Sequence, residues 1–175
     1  MFWFKTVRQV IAIFRNNQDP DEIGAGFALG SIIGLNPTNT LHNYVILFLL
    51  FLLNVNKGAA LISVAFFAVI GYFTDPYAHQ IGYKLLVEMP ALNPFWTKLY
   101  NTPIVPFTRF NNTVVLGSLV IALALFIPVW LIGKKLIILY RKNLQEKVNK
   151  LKVIQLLQQA KWYERYTKIK GTFND

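Results

Sequence analysis

The 175 residues contain no cysteine, which excludes disulfides, thiolate metal sites and thiol nucleophiles and leaves the redox compartment unreadable. Histidine is nearly absent too. His42 and His79 are the only imidazoles, and Asp75 stands four residues before His79, a spacing that can hold a metal on one helix face. With so few ligands, and with Asp75 already placed as a helix cap, neither a metal site nor a cofactor is expected. No serine stands beside a visible base, and Glu88 before Met89-Pro90 reads as a solvated helix end. The chain is read as a non-enzyme. The amino terminus lacks the long uncharged stretch and small-residue cleavage site of a signal peptide, because Lys5, Arg8 and Arg15 interrupt it.

Acidic residues are also scarce, eight against eighteen lysines and arginines, for a net charge of +10. Most of that excess, +8, lies from Lys134 onward. In a soluble protein such a tail points to nucleic acid. Here it follows an apolar run directly, so it reads as a positive-inside signal that touches anionic lipid, and no nucleic acid partner is expected.

That apolar run is the most informative stretch present. Thr113 to Gly133 is 21 residues without a charge, about 31 Å as a helix, which matches the hydrocarbon core of a bilayer. The hydrophobic content of 54% leaves no room for a separate soluble domain. The predicted fold is all-α: a polytopic membrane protein with short paired, re-entrant helices, two further spans, and amphipathic helices at both ends. Residues 1–18 form an interfacial amphipathic helix. Residues 19–133 form the membrane domain, with a hairpin over 23–55, a span over 58–73, an external amphipathic segment over 74–112 and a span over 113–133. Residues 134–175 form a basic cytoplasmic helical tail.

Local signals set these boundaries. Asp19 is placed as an N-cap before Pro20, with Glu22 positioned to complete a capping box. The helix from Ile23 to Leu35 carries Gly26, Gly30 and Gly34 at every fourth position, a side-chain-free ridge for close helix packing. Asn36 to Thr40 breaks it, and Leu41 to Val55 returns. Neither arm is long enough to span alone, which predicts a hairpin whose irregular tip is buried in protein or faces water. Thr74-Asp75-Pro76 reads as the end of the next helix, with Asp75 as a second cap. Asp19-Pro20 is echoed by Asp75-Pro76, Leu35-Asn36-Pro37 by Leu92-Asn93-Pro94, and Asn54 by Asn111, at offsets of about 56 to 58 residues, so a doubled unit of the kind found in transporters is one reading. Basic residues at both ends place both termini in the cytoplasm and 74–112 outside.

Polar residues at membrane depth are the best functional markers, since each costs free energy unless paired or hydrated. One group is Asn36, Thr38, Asn39, Thr40, His42 and Asn43 at the hairpin tip, which either cap two helix ends or line a ligand site. The other is Arg109, Asn111, Asn112 and Thr113. There Arg109 either snorkels or holds a phosphate or carboxylate with its planar fork.

The run Gly26-Phe27-Ala28-Leu29-Gly30-Ser31-Ile32-Ile33-Gly34-Leu35-Asn36-Pro37, with Asn54-Val55-Asn56 and then Asp75-Pro76 before Ile81-Gly82, resembles a family of small bacterial membrane proteins catalogued as a domain of unknown function. The family's Asn-Pro is replaced here by Asp75-Pro76, which marks a divergent branch. Trp96 to Pro103 and Thr108 to Val115 look like that branch's own signatures. The resemblance implies a protein of the bacterial inner membrane. Fusion of related members to glycosyltransferases, and the branch's encoding beside a large envelope protein, imply handling of lipid or envelope precursors without chemistry of its own. It supplies no catalytic residues. The expected partners are membrane phospholipid and a membrane or periplasmic protein; the rival expectation is a transporter of small solutes or ions.

Overall fold

The computed structural model describes residues 19–37 and 39–144. The helices expected over 1–18 and beyond 144, and Thr38 at the hairpin tip, lie outside the described residues. The chain divides into a unit over 17–137 and a second formed by 1–16 with 138–175; the first is described here. Its elements are all helical: α1 (Pro20–Leu35), α2 (Leu41–Leu52), α3 (Lys57–Tyr83), α4 (Asn93–Tyr100) and α5 (Thr113–Leu139), with short 3-10 turns at Pro90–Leu92 and Val105–Thr108.

Each start has a local cause. The Asp19 carboxylate accepts from the Asp21 amide at 2.9 Å, and Pro20 occupies the first turn, where its missing donor costs nothing. Glu22 does not close a capping box. Its carboxylate accepts from Asn54 Nδ2 at 2.8 Å and its carbonyl from the Asn56 amide at 3.1 Å, so the start of α1 is tied to the α2–α3 turn instead. Asn56 Oδ1 accepts from Ala59 N at 2.7 Å and starts α3. Asn112 does the same for α5, through Val114 N at 2.9 Å and Val115 N at 3.2 Å. α1 stops at Leu35 because Pro37 disfavours helical geometry at Asn36, which is extended.

Three expectations from sequence are corrected. α3 does not end at Thr74-Asp75-Pro76 but runs straight through to Tyr83 and continues as a π turn, Lys84–Glu88, so Asp75 lies inside the helix and is not a cap. Pro76 removes one donor only, and the helix on both sides of it is fixed by packing. Gly71 lies against Leu35 and Gly82 against Thr113. The Thr74 hydroxyl donates to the Gly71 carbonyl at 3.2 Å and so is satisfied within the helix. Second, α5 runs beyond Gly133 to Leu139 with Pro128 inside it. Third, the echoed words do not mark a structural repeat. Asp19-Pro20 opens a helix where Asp75-Pro76 lies inside one, and Asn36-Pro37 follows a helix where Asn93-Pro94 begins one.

The helices meet backbone to backbone. A Cβ added to Gly26, Gly30 or Gly34 would collide with the carbonyl oxygens of Asn56, Ala60 and Val64 respectively, the last at 2.7 Å. Both series advance by four in the same direction, so α1 and α3 lie parallel with the glycine ridge of one against the carbonyl row of the other. α5 runs antiparallel to both. A Cβ at Gly24 would come within 2.9 Å of Trp130 O, Gly82 is pressed on the Thr113 carbonyl, and Gly117 on the Ala78 carbonyl. Around these contacts Leu29, Ile32, Leu35, Leu50, Ala60, Phe67 and Ala122 form the buried apolar cluster. At one end Lys134 Nζ pairs with Asp21 Oδ2 at 2.7 Å. Both side chains are about two-fifths exposed, so the pair sets register more than stability.

Substitution at these glycines gives a graded test. Gly117→Ala and Gly30→Ala drive a methyl into backbone and should each destabilise the fold by about 1–3 kcal/mol. Gly133→Ala meets Gly24 Cα at an ordinary 3.4 Å and should be close to neutral. Thermal unfolding in detergent measures the order; equal stability for all three contradicts the packing.

Candidate functional site

Three of the buried polar side chains gather where α1 ends and α2 begins. Asn36 is 4% exposed, Thr40 is fully buried and Asn43 is 9% exposed. Asn36 Nδ2 donates to the Ile32 carbonyl at 2.8 Å, closing the last turn of α1. Its Oδ1 accepts from the Ser118 hydroxyl of α5 at 2.9 Å. Asn43 Nδ2 donates to the Pro37 carbonyl at 3.0 Å and holds the turn from the other side. Thr40 Oγ1 lies 3.0 Å from His42 Nε2, and Tyr44 O–H donates to Asn39 Oδ1 at 2.8 Å. Asn39 takes the left-handed conformation, φ 66°, which asparagine tolerates better than most residues.

Two atoms at this tip are buried without a hydrogen-bond partner among the described residues, His42 Nδ1 and Asn43 Oδ1. A buried acceptor left unpaired costs about 1–3 kcal/mol. No cluster of three or more potential metal ligands occurs among the described residues.

The second sequence group is not a crevice of converging donors. Asn112 is the cap of α5, and Thr113 Oγ1 lies 2.7 Å from His79 Nδ1, joining the start of α5 to α3. Asn111 and Arg109 are exposed, and Arg109 is left-handed with φ 56°. No side-chain hydrogen bond among the described residues runs directly between this group and Asn36–Asn43. They are joined through α5, by the Asn36–Ser118 bond, and by the Val105–Thr108 turn, which comes within 8 Å of α2 between Cα atoms.

Sequence reasoning missed Ser118, Ser63 and the anchor of the segment before α5. Ser63 donates to the Phe27 carbonyl across the α1–α3 contact. Trp96 donates through Nε1 to the Leu85 carbonyl at 2.9 Å and stacks on buried Phe110 at 5.8 Å. The signal for Ser63 and Ser118 was there: each is a hydroxyl within an apolar helix, where it needs a carbonyl or amide to satisfy it.

A double-mutant cycle over Asn36→Ala and Ser118→Ala should give a coupling on the order of 1 kcal/mol in detergent unfolding. Additive effects would mean that the α1–α5 hydrogen bond contributes nothing.

Comparison with known proteins places this geometry in a family. The bacterial family described as an uncharacterised protein conserved in bacteria, DUF2062, matches residues 5–145, and the chain belongs to it. An uncharacterised protein of Treponema pallidum (strain Nichols) is 26% identical over 157 residues, which cover 88% of this chain and 96% of that protein. No solved structure matches.

Proposed function

We propose that this member of the DUF2062 family is a non-catalytic subunit of a bacterial envelope assembly, embedded in the inner membrane with both termini cytoplasmic. It contacts phospholipid along its helices and docks a membrane or periplasmic protein at its outer end. One observation carries the reading. α3 and α5 are long and apolar enough to cross a bilayer, and only 28% of each apolar stretch is buried within the chain. Leu61, Phe66 and Val69 of α3, Leu123, Ile127 and Leu131 of α5 and Phe48 and Phe51 of α2 are all more than half exposed. Outward faces of this kind match hydrocarbon, not water.

The interior supports a scaffold. Glycines line its helix contacts, and Asn36, Ser31, Ser63 and Ser118 spend their hydrogen bonds on helix ends and helix contacts. The end of the bundle that holds Lys134 leads in sequence into the tail, whose eleven lysines and arginines against three acids support the cytoplasmic assignment of that end. The hairpin of α1 and α2 then enters from the cytoplasmic side and returns to it.

The rival reading, a transporter of small solutes or ions, draws on the unpaired His42 Nδ1 and Asn43 Oδ1, and substrate-dependent flux in reconstituted vesicles would favour it. It loses the support of an internal repeat, since the echoed words take different structural positions.

Arg109 is the residue through which the docking reading is tested, being exposed at the outer end. With folding and insertion verified, Arg109→Ala and Arg109→Lys should both reduce the lipid or protein recovered on mild-detergent purification from native membranes, because lysine keeps the charge without the planar fork. Mass spectrometry of the recovered material reads the result. Full recovery with Arg109→Lys would reduce Arg109 to an interfacial anchor.

A further inference from the structure

The hairpin is too short for the membrane it faces. α2 has 12 residues, about 18 Å of helix, against a hydrocarbon thickness of about 30 Å. Its lower end is tied to the start of α1 through Asn54 and Glu22, so the shortfall lies at the outer end, above Asn39 and Thr40. α5 has no such shortfall, so the two sides of the bundle differ in apolar height.

The Val105–Thr108 turn lies toward that end of α2. It approaches α2, and it does so from the outer end, because the five residues from Thr108 to Thr113 reach at most about 17 Å and Thr113 lies beside Gly82, beyond the level of Asn36 and Ser118. What the turn shows to its surroundings is apolar: Ile104 is 65% and Phe107 71% exposed. On α2, which the turn approaches, Tyr44 and Phe48 are likewise more than half exposed. Polar residues bracket it, with Asn101 and Thr102 before and Arg109, Asn111 and Asn112 after, all exposed.

The turn is also built to hold its shape. Ile104 has φ 75° and Arg109 φ 56°, and a β-branched residue in the left-handed region is kept there only by surrounding constraint. Pro103 and Pro106 stiffen the chain. Phe107 N donates to the Ile104 carbonyl at 3.0 Å, Arg109 N to the Pro106 carbonyl at 2.9 Å and Thr108 Oγ1 to the Val105 carbonyl at 2.7 Å. Such rigidity keeps Ile104 and Phe107 turned outward.

We propose that the 103–108 turn is a monolayer-inserted wedge: it stands on the short hairpin within the outer leaflet, its Ile104 and Phe107 against phospholipid acyl chains, and so completes the lipid-facing wall that α2 leaves unfinished. The segment 101–112 is thus interfacial, not free in the external water, and Arg109 stands at headgroup level beside it. The occupant is lipid because the turn approaches a helix whose own exposed residues are apolar, because it lies toward the end where that helix falls short, and because polar and cationic residues flank it as a membrane interface requires. This inference rests on the membrane reading given above.

The absence of cysteine allows spin labels at single introduced cysteines in the full chain reconstituted into phosphatidylethanolamine–phosphatidylglycerol vesicles. Relaxation by oxygen, which partitions into hydrocarbon, is compared with relaxation by a water-soluble nickel chelate. Ile104→Cys and Phe107→Cys should favour oxygen several-fold, as Leu123→Cys on α5 does, while Asn101→Cys and Asn111→Cys favour nickel. If Leu123→Cys favours oxygen and Phe107→Cys favours nickel, the wedge is wrong and the membrane reading stands. Exclusion of both reagents from Phe107→Cys would overturn it in favour of a protein contact. Access of nickel to Leu123→Cys would overturn both.

Discussion

A helix that carries hydrogen in place of side chains along one face can lie directly on the backbone of its neighbour, and the rest of this structure depends on that contact. Gly26, Gly30 and Gly34 let α1 rest on the carbonyls of Asn56, Ala60 and Val64. No larger residue fits at any of the three without moving backbone. In the bilayer proposed above, lipid is as apolar as leucine, so burial of side chains would contribute little to helix association and close van der Waals approach would supply it. α1 is too short to be held by spanning, so its place in the bundle is set by this ridge.

The other contacts follow from where the ridge puts α1. Its end arrives beside Ser118, and Asn36 can then satisfy both the last turn of α1 and a hydroxyl of α5. Its start arrives beside Asn54 and Lys134, so Glu22 and Asp21 hold the base of the hairpin to the neighbouring turn and to α5. α3 and α5 repeat the principle at the other end of the bundle, where Gly82 meets Thr113 and Gly117 meets Ala78. The polar cluster at the hairpin tip lies where α1 ends beside α5, and of its hydrogen bonds Asn36–Ser118 crosses to α5 while the others shape the tip itself.

How much of this could be read from sequence depended on range. The glycine ridge was legible because its period of four is local, as were the Asp19 cap and the break at Pro37. The paired contacts of Gly24, Gly82, Gly117 and Gly133 were not, since each is a single glycine whose partner lies far along the chain. Asn36 and Ser118 are separated by 82 residues, and nothing in either neighbourhood names the other. Asp75-Pro76 misled because the same dipeptide opens α1, and a cap rule drawn from free helix ends does not apply where packing holds the helix on both sides. The candidate site was half legible. Asn36, Thr40 and Asn43 do come together, whereas Asn112 and Thr113 are occupied by a cap and by His79.

Oxidation of engineered cysteine pairs tests the α1–α3 contact most directly. A Cβ at Gly30 would lie 2.8 Å from Ser63 Cβ, and a separation of about 1 Å more brings the pair into the range of disulfide geometry. In native membranes Gly30→Cys with Ser63→Cys should crosslink under mild oxidation, while Gly30→Cys with Ala65→Cys, on the exposed face of α3, should not. Crosslinking of the Ala65 pair in preference to the Ser63 pair would mean that the glycine ridge does not face α3.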